Sequence, residues 1–270
     1  MVQALKYLIY GLISGLSEII PASIGGHQSI LMLLFGMSER DPILDLMTHA
    51  GILACVILNC HTEIQYLTGK SRAIKATGTV SQFDKRLLFA ATVFMLIGLL
   101  FRNIGAKFEF QPLAISIFFL INAILLMIPD YIRQSNKHAG MMGLFDSLLI
   151  GLSGFLSVFP GISRLGTGCV FSILRGADKQ RSFNWLLLLT VPAILFWIIT
   201  DIIGIFTIGL SGVTLWIVLG YVLSAAAAFG GSYIGIMLMR FLMFNSGLSV
   251  FSYYSFGASL FSFIVYLIAF

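Results

Sequence analysis

Apolar runs fill this chain, and most of them end at short polar loops. Two runs behave differently, because each is broken in its middle by a knot of Pro, Ser and Gly that carries polar side chains. The first is residues 11–36, GLISGLSEIIPASIGGHQSILMLLFG, and the second is residues 151–176, GLSGFLSVFPGISRLGTGCVFSILRG. At an offset of 140 residues Gly11 meets Gly151, Gly26 meets Gly166 and Gly36 meets Gly176, while Pro21 and Pro160 match with a one-residue slip. Neither half of a broken run reaches the roughly 20 residues needed to cross a bilayer. Unbroken apolar runs predict spans near 43–60, 87–102 and 112–131 after the first pair, which covers about 4–37. The second pair covers about 144–176, and spans near 182–203, 212–240 and 249–270 follow it.

Each half is therefore one interrupted pair plus three spans. If both pairs enter and leave on one side, three spans between them place the second copy upside down, which is an inverted-topology repeat with a binding site at its midplane. The expected fold is an all-α polytopic membrane protein. One integral membrane domain, residues 1–270, is built from repeats of about 1–140 and 141–270. Irregular backbone at membrane depth is stable only when buried in protein or lining a wet cavity, so the two knots are expected to face each other across a polar cavity.

Composition agrees with this class: 59% of residues are hydrophobic and 10% charged, with mean hydropathy +0.99. A soluble domain is about one quarter charged. The N-terminal run has no clean small-x-small cleavage site and carries Glu18 into the first knot, so it reads as mature sequence. Cys55, Cys60 and Cys169 lie in or beside apolar runs without metal-ligand spacing and read as packing residues.

Charge orients the chain. Lys70, Arg72, Lys75, Lys85 and Arg86 in the loop 61–86, Arg133 and Lys137, then Arg175, Lys179 and Arg181, and Arg240 all fall on one side. The opposite loops hold Glu39, Arg40 and Asp41, then Arg102, Lys107 and Glu109. The positive-inside rule makes the first set cytoplasmic. The net charge of +5 follows from this bias, and no basic stripe on a soluble module suggests nucleic acid.

The chemistry gathers in the knots. Around Pro21 stand Glu18, Ser23, Gly25, Gly26 and His27, and around Pro160 stand Ser163, Arg164, Gly166 and Thr167. Glu18 and Arg164 are costly to bury unless they pair or bind a charged ligand. Backbone N–H groups at a helix start favour anions, and a guanidinium between them suits bidentate phosphate contact. Together they point to a phosphate or diphosphate at membrane depth, and an amphiphile with a diphosphate head fits. His49 is a further ionisable group near the start of a span, open to a supporting or a packing role. Asp201 is expected to cap a span end, Asn122 and Asn184 to bond between helices, and the small-residue run Ser224–Ala228 to serve close packing or an oligomer interface.

EIIPASIGGH resembles the first signature of the undecaprenyl-diphosphate phosphatase family of the bacitracin-resistance type, E-x-L-P-[IV]-S-S-T-G-H. PGISRLGTG resembles its second, P-G-T-S-R-S-G-A-T, and DLMTHAGILA and SFNWLLLLTVPAIL resemble two further segments in the same order. The resemblance implies two re-entrant hairpins and six spans in a bacterial cell membrane, with the active site facing outward. It also implies removal of one phosphate from undecaprenyl diphosphate, which recycles the carrier for cell-wall glycans and confers bacitracin resistance, with a divalent cation (Mg²⁺ or Ca²⁺) as cofactor.

Glu18, Ser23, His27, Ser163 and Arg164 match the family pattern. Ser14 stands where a second Glu is usual, Ile24 replaces the second signature Ser, Gly25 the following Thr, Leu165 the Ser after the Arg, and Gly168 the late Thr; Tyr254-Ser255 replaces a Tyr-Arg pair. On this reading Glu18 holds the metal or acts as base, Ser23 or a water attacks, His27 assists, and Arg164 with Gly25, Gly26, Ser163, Gly166 and Thr167 binds the diphosphate. A homodimer is compatible with it. The alternative is a non-hydrolytic isoprenyl-phosphate transporter or lipid-binding paralogue, because an inverted repeat also suits alternating access.

Overall fold

A computed structural model describes residues 2–68, 82–132, 137, 141–208 and 214–269. Lys70, Arg72, Lys75 and Arg133, used above to orient the loops, lie outside these residues. The described residues are all-helical with no strand. Five helices are long and apolar enough to cross a membrane: Pro42–Asn59, Pro112–Tyr131, Lys179–Thr207, Leu215–Met243 and Ser249–Ile268. The chain is a multi-pass membrane protein.

The first broken run forms α1 (Val2–Ile19) and α2 (Ile24–Phe35), and the second forms α8 (Leu144–Leu156) and α9 (Arg164–Leu174). Between them lie α3 (Pro42–Asn59), α4 (His61–Leu67), α5 (Gln82–Leu99), α6 (Arg102–Ala106) and α7 (Pro112–Met127), with a 3₁₀ turn at Ile128–Tyr131. After them come α10 (Lys179–Ile208), α11 (Leu215–Asn245) and α12 (Ser249–Ala269). The six expected spans are all helices with shifted ends, but α5, expected as a span near 87–102, is not among the five long and apolar enough to cross a membrane. α4 and α6, short helices inside what read as loops, were not expected.

The caps show why both broken runs restart where they do. Ser23 and Ser163, 140 residues apart, are the N-caps of α2 and α9. Each hydroxyl accepts from the backbone N–H three residues on, Gly26 at 3.3 Å and Gly166 at 3.1 Å, satisfying an otherwise orphaned donor of the first turn. α2 closes at its C-cap Gly36, at φ 72°, and Gly176, at φ 101°, follows Arg175, the C-cap of α9. A glycine reaches this left-handed region without a Cβ penalty, so it can close a helix there.

Close backbone approach fixes the packing. α1 lies along α11, and a Cβ at Gly11 or Gly15 would sit 2.1 Å from the carbonyl oxygen of Ser224 or Ala228. Gly51 meets the Ala225 carbonyl at the same distance. The run Ser224–Ala228 is thus used inside the chain, against α1 and α3. α5 packs on α8 in the same manner, through Gly98, Gly151 and Gly154. α7 pairs with α12, and α3 with both α10 and α11. Small residues at helix crossings let backbones approach closely, which drives association where lipid offers no hydrophobic gain. All three cysteines are free and buried in this core.

Polar contacts sort the ends of the helices. At one end Lys179 pairs with Asp130 at 3.3 Å, Arg175 with Asp146, and the Lys137 backbone N–H donates to the Gly176 carbonyl. At the other, Arg40 pairs with Glu109 at 2.8 Å, and Tyr7 and Tyr221 donate to Asp41.

Candidate active site

The two knots touch. The backbone N–H of Gly161 donates to Ser23 Oγ at 3.0 Å. Asn122, wholly buried on α7, clamps both: its Nδ2 donates to the Pro21 carbonyl and Ser255 Oγ, each at 3.0 Å, and its Oδ1 accepts from Ser163 N–H at 2.9 Å. Ser23 is held at φ 64°, the one non-glycine with positive φ among the described residues. Such a conformation costs roughly 1–3 kcal/mol and persists where surrounding contacts over-determine it. The Gly161 bond and the Gly26 cap are those contacts.

Beside this clasp lies a cavity of about 180 Å³. Ser23, Ile24, Gly25 and Gln28 line it from the first knot, and Pro160, Ile162, Ser163 and Arg164 from the second, with Glu18 at the end of α1. Arg40, Arg102 and Glu109 line it from the loop end, so it joins the buried pair to that end of the bundle. Arg164, 5% exposed, donates through Nη2 to Glu18 Oε1 at 2.5 Å and to Thr190 Oγ1 at 2.8 Å. Its Nη1 is buried with no hydrogen-bond partner among the described residues. Removing one member of such a pair costs about 3–5 kcal/mol, because an uncompensated charge stays behind.

The other sequence candidates divide. Gly25 and Ser163 line the cavity with Glu18, Ser23 and Arg164, whereas His27, Gly26, Gly166 and Thr167 do not. His27 turns toward α12. Its Nδ1–H donates to the Ser23 carbonyl at 2.9 Å, so Nε2 accepts from the Tyr254 hydroxyl at 2.7 Å, and its ring stacks on Tyr254. Gly26 and Gly166 serve close packing: a Cβ at Gly26 would meet Phe119 and Gly161, and one at Gly166 would meet Pro21. The Thr167 hydroxyl donates to the Ser163 carbonyl at 2.7 Å, within its own helix.

One reading is corrected. Asp201 does not cap a span end; it lies inside α10, which runs on to Ile208, and accepts from His49 Nδ1–H at 2.7 Å in the cavity wall. A partner 152 residues away leaves no local signal. The sequence reading also missed a network at the loop end. There Arg40 reaches Asp45 at 3.1 Å, Glu109 at 2.8 Å and Gln28 at 3.2 Å, and Tyr10 donates to Asp45 at 2.6 Å. Burial opposes the Arg40 charge, but Glu109 and Asp45 outweigh it and hold the guanidinium protonated beyond its ordinary range. These residues come from three helices and two loops and share no motif.

The described residues hold no cluster of three His, Cys, Asp or Glu fit to cage a metal ion. Mg²⁺ usually keeps several waters and binds through one or two carboxylates plus substrate oxygens, so it would need only one carboxylate of the cavity wall that still has an oxygen to share. Glu18 lines the cavity with Oε1 on Arg164, and its chemistry is compatible with such an ion.

The described residues thus form an all-helical membrane protein with a buried arginine beside two capped helix starts. Residues 7–261 match the family model described as bacitracin resistance protein BacA, and the chain belongs to that family. It is 28% identical over 263 residues to the undecaprenyl-diphosphatase of Alkaliphilus metalliredigens, covering 93% of this chain and 94% of the relative. It is 30% identical over 253 residues to undecaprenyl-diphosphatase 4 of Bacillus thuringiensis subsp. konkukian, covering 94% and 93%. To the undecaprenyl-diphosphatase of Carboxydothermus hydrogenoformans it is 26% identical over 258 residues, covering 93% of each.

Proposed function

We propose that the chain hydrolyses undecaprenyl diphosphate to undecaprenyl phosphate and inorganic phosphate, recycling the lipid carrier for cell-wall synthesis and conferring bacitracin resistance. The observation that carries this reading is Arg164, buried at the inner end of the cavity with Nη1 unpartnered, in a chain whose relatives are named for this activity. Arg164 Nη1 and the first-turn N–H groups of α2 and α9 bind the terminal phosphate, since phosphoryl transfer is mainly positioning and charge neutralisation. Glu18 would hold a divalent cation, which would supply further charge neutralisation at the diphosphate. Ser23 Oγ already accepts from Gly26 and Gly161 N–H. A hydroxyl has two lone pairs, so both are committed and the attack falls to water. Ile24, in place of the family's second Ser, points the same way.

Exchanging the halves supports an inverted repeat of re-entrant hairpins. α1 on α11 becomes α8 on α5, α3 on α11 becomes α10 on α5, and α7 on α12 maps onto itself; each of these pairs is in contact. The basic loop end faces the cytoplasm, and the cavity opens outward past Arg40 and Arg102.

Ile24 in the cavity wall and the closed Glu18–Arg164 pair favour one second reading, transport without cleavage. Purified wild type and Arg164→Ala, compared for phosphate release and for binding of the lipid diphosphate, separate the two. The phosphatase reading expects release by wild type and loss of both properties in the variant. Binding without release by wild type supports transport, and a variant equal to wild type in both places the site elsewhere.

A further inference from the structure

The ionisable side chains that line the cavity are Glu18, Arg40, Asp45, His49, Arg102, Glu109, Arg164 and Asp201. Water attacking a phosphorus must give up a proton, and most of these groups are already engaged. Glu18 Oε1 is held by Arg164, Asp45 by Tyr10 and Arg40, and Glu109 by Arg40. His27 stands outside the cavity with both ring nitrogens bonded. His49 differs. Its Nδ1–H donates to Asp201 Oδ2 at 2.7 Å, which fixes the tautomer and leaves the Nε2 lone pair without a partner among the described residues. Trp197, four residues before Asp201, stacks over the imidazole with centroids 6.5 Å apart and fixes its plane.

We infer that His49 is the general base of the hydrolysis and that Asp201 is its positioning residue, an assignment that rests on the phosphatase reading. Water attacks the terminal phosphorus. The bond from that phosphorus to the bridging oxygen breaks, and its electron pair leaves with undecaprenyl phosphate. The water proton passes to His49 Nε2 and then to solvent. Imidazole suits the task, since its charge change falls near neutral pH. A carboxylate on Nδ1–H both orients the ring and stabilises the imidazolium.

The groups that act on His49 come from the elements around it: Asp201 on α10, Glu18 on α1 and Asp45 on α3. α11 offers Ser224 to the neighbouring Thr48, and its one charged side chain is Arg240. The acid limb of the rate profile thus follows from an imidazole among carboxylates. Activity falls as pH drops and His49 becomes protonated.

The test is phosphate release from undecaprenyl diphosphate by purified full-length protein in detergent with Mg²⁺, across pH, for wild type, His49→Gln and Asp201→Asn. Binding of a lipid carrying a methylene-bridged diphosphonate head checks that each variant is folded. The expected results are a roughly 100- to 10,000-fold drop in kcat for His49→Gln with KM and analogue binding unchanged, and disappearance of the acid limb. Asp201→Asn should lose less and shift the limb. His49→Gln that keeps wild-type turnover and limb overturns the base assignment alone. Loss of kcat with the limb retained assigns His49 a structural role and overturns it too. A wild type that binds the analogue but releases no phosphate overturns the phosphatase reading and this assignment with it.

Discussion

Asn122→Ala removes one side chain and should unfasten both knots. Three hydrogen bonds go, to the Pro21 carbonyl, to Ser255 Oγ and from Ser163 N–H, at 3.0, 3.0 and 2.9 Å. Ser255 has a rotatable hydroxyl and can re-pair. The Pro21 carbonyl and the Ser163 N–H are backbone groups with no other partner among the described residues, so each is left unsatisfied at about 1–3 kcal/mol. The expected loss is therefore about 2–6 kcal/mol, larger than the average of about 0.6 kcal/mol for side-chain bonds between membrane helices. Those averages include partners that re-pair, and two of these three partners cannot. Asn122→Asp keeps the acceptor for Ser163 and loses the donor to Pro21, so it should fall between. Reversible unfolding in mixed micelles measures both, with phosphate release followed in parallel. A loss under about 1 kcal/mol for Asn122→Ala, with activity intact, would refute the claim that this residue holds the two knots together.

Gly15→Ala should destabilise by more than about 2 kcal/mol, since its Cβ would lie 2.1 Å from the Ala228 carbonyl; Gly230→Ala, with nothing within 4 Å, should be neutral or slightly stabilising. Thermal melts of the two variants in one detergent give the comparison. Glu18→Gln leaves Arg164 buried without its counter-charge, and the melting temperature of the ligand-free protein should fall by the equivalent of about 3–5 kcal/mol. Added diphosphonate lipid should then raise it more than in wild type, and equal rises would contradict a shared site. Arg40→Gln frees Asp45 and Glu109 together, so turnover should drop about tenfold or more, checked by steady-state phosphate release.

How much of this was legible beforehand follows from how local each signal is. Helix positions came from the lengths of apolar runs, and the knots from Pro and Gly set inside them. Glu18, Ser23, Ser163 and Arg164 stood out because polar groups at membrane depth need a reason to be there. α4 and α6 did not, being short helices without an apolar stripe. His27 was placed at the anion site by its neighbours in sequence. One residue is about 100° of helix rotation, and that turn carries its ring away from the face of Gln28 and toward Tyr254. The Arg40 network and the His49–Asp201 pair join residues from separate helices and loops, so neither has a sequence pattern to find.

The most direct measurement is phosphate release from undecaprenyl diphosphate by the purified protein in detergent, with Mg²⁺ or Ca²⁺ and with EDTA. The account predicts release with a divalent cation, none with EDTA, and none from Arg164→Ala in either. Folded wild-type protein that binds the lipid diphosphate and leaves it intact under every cation would contradict it.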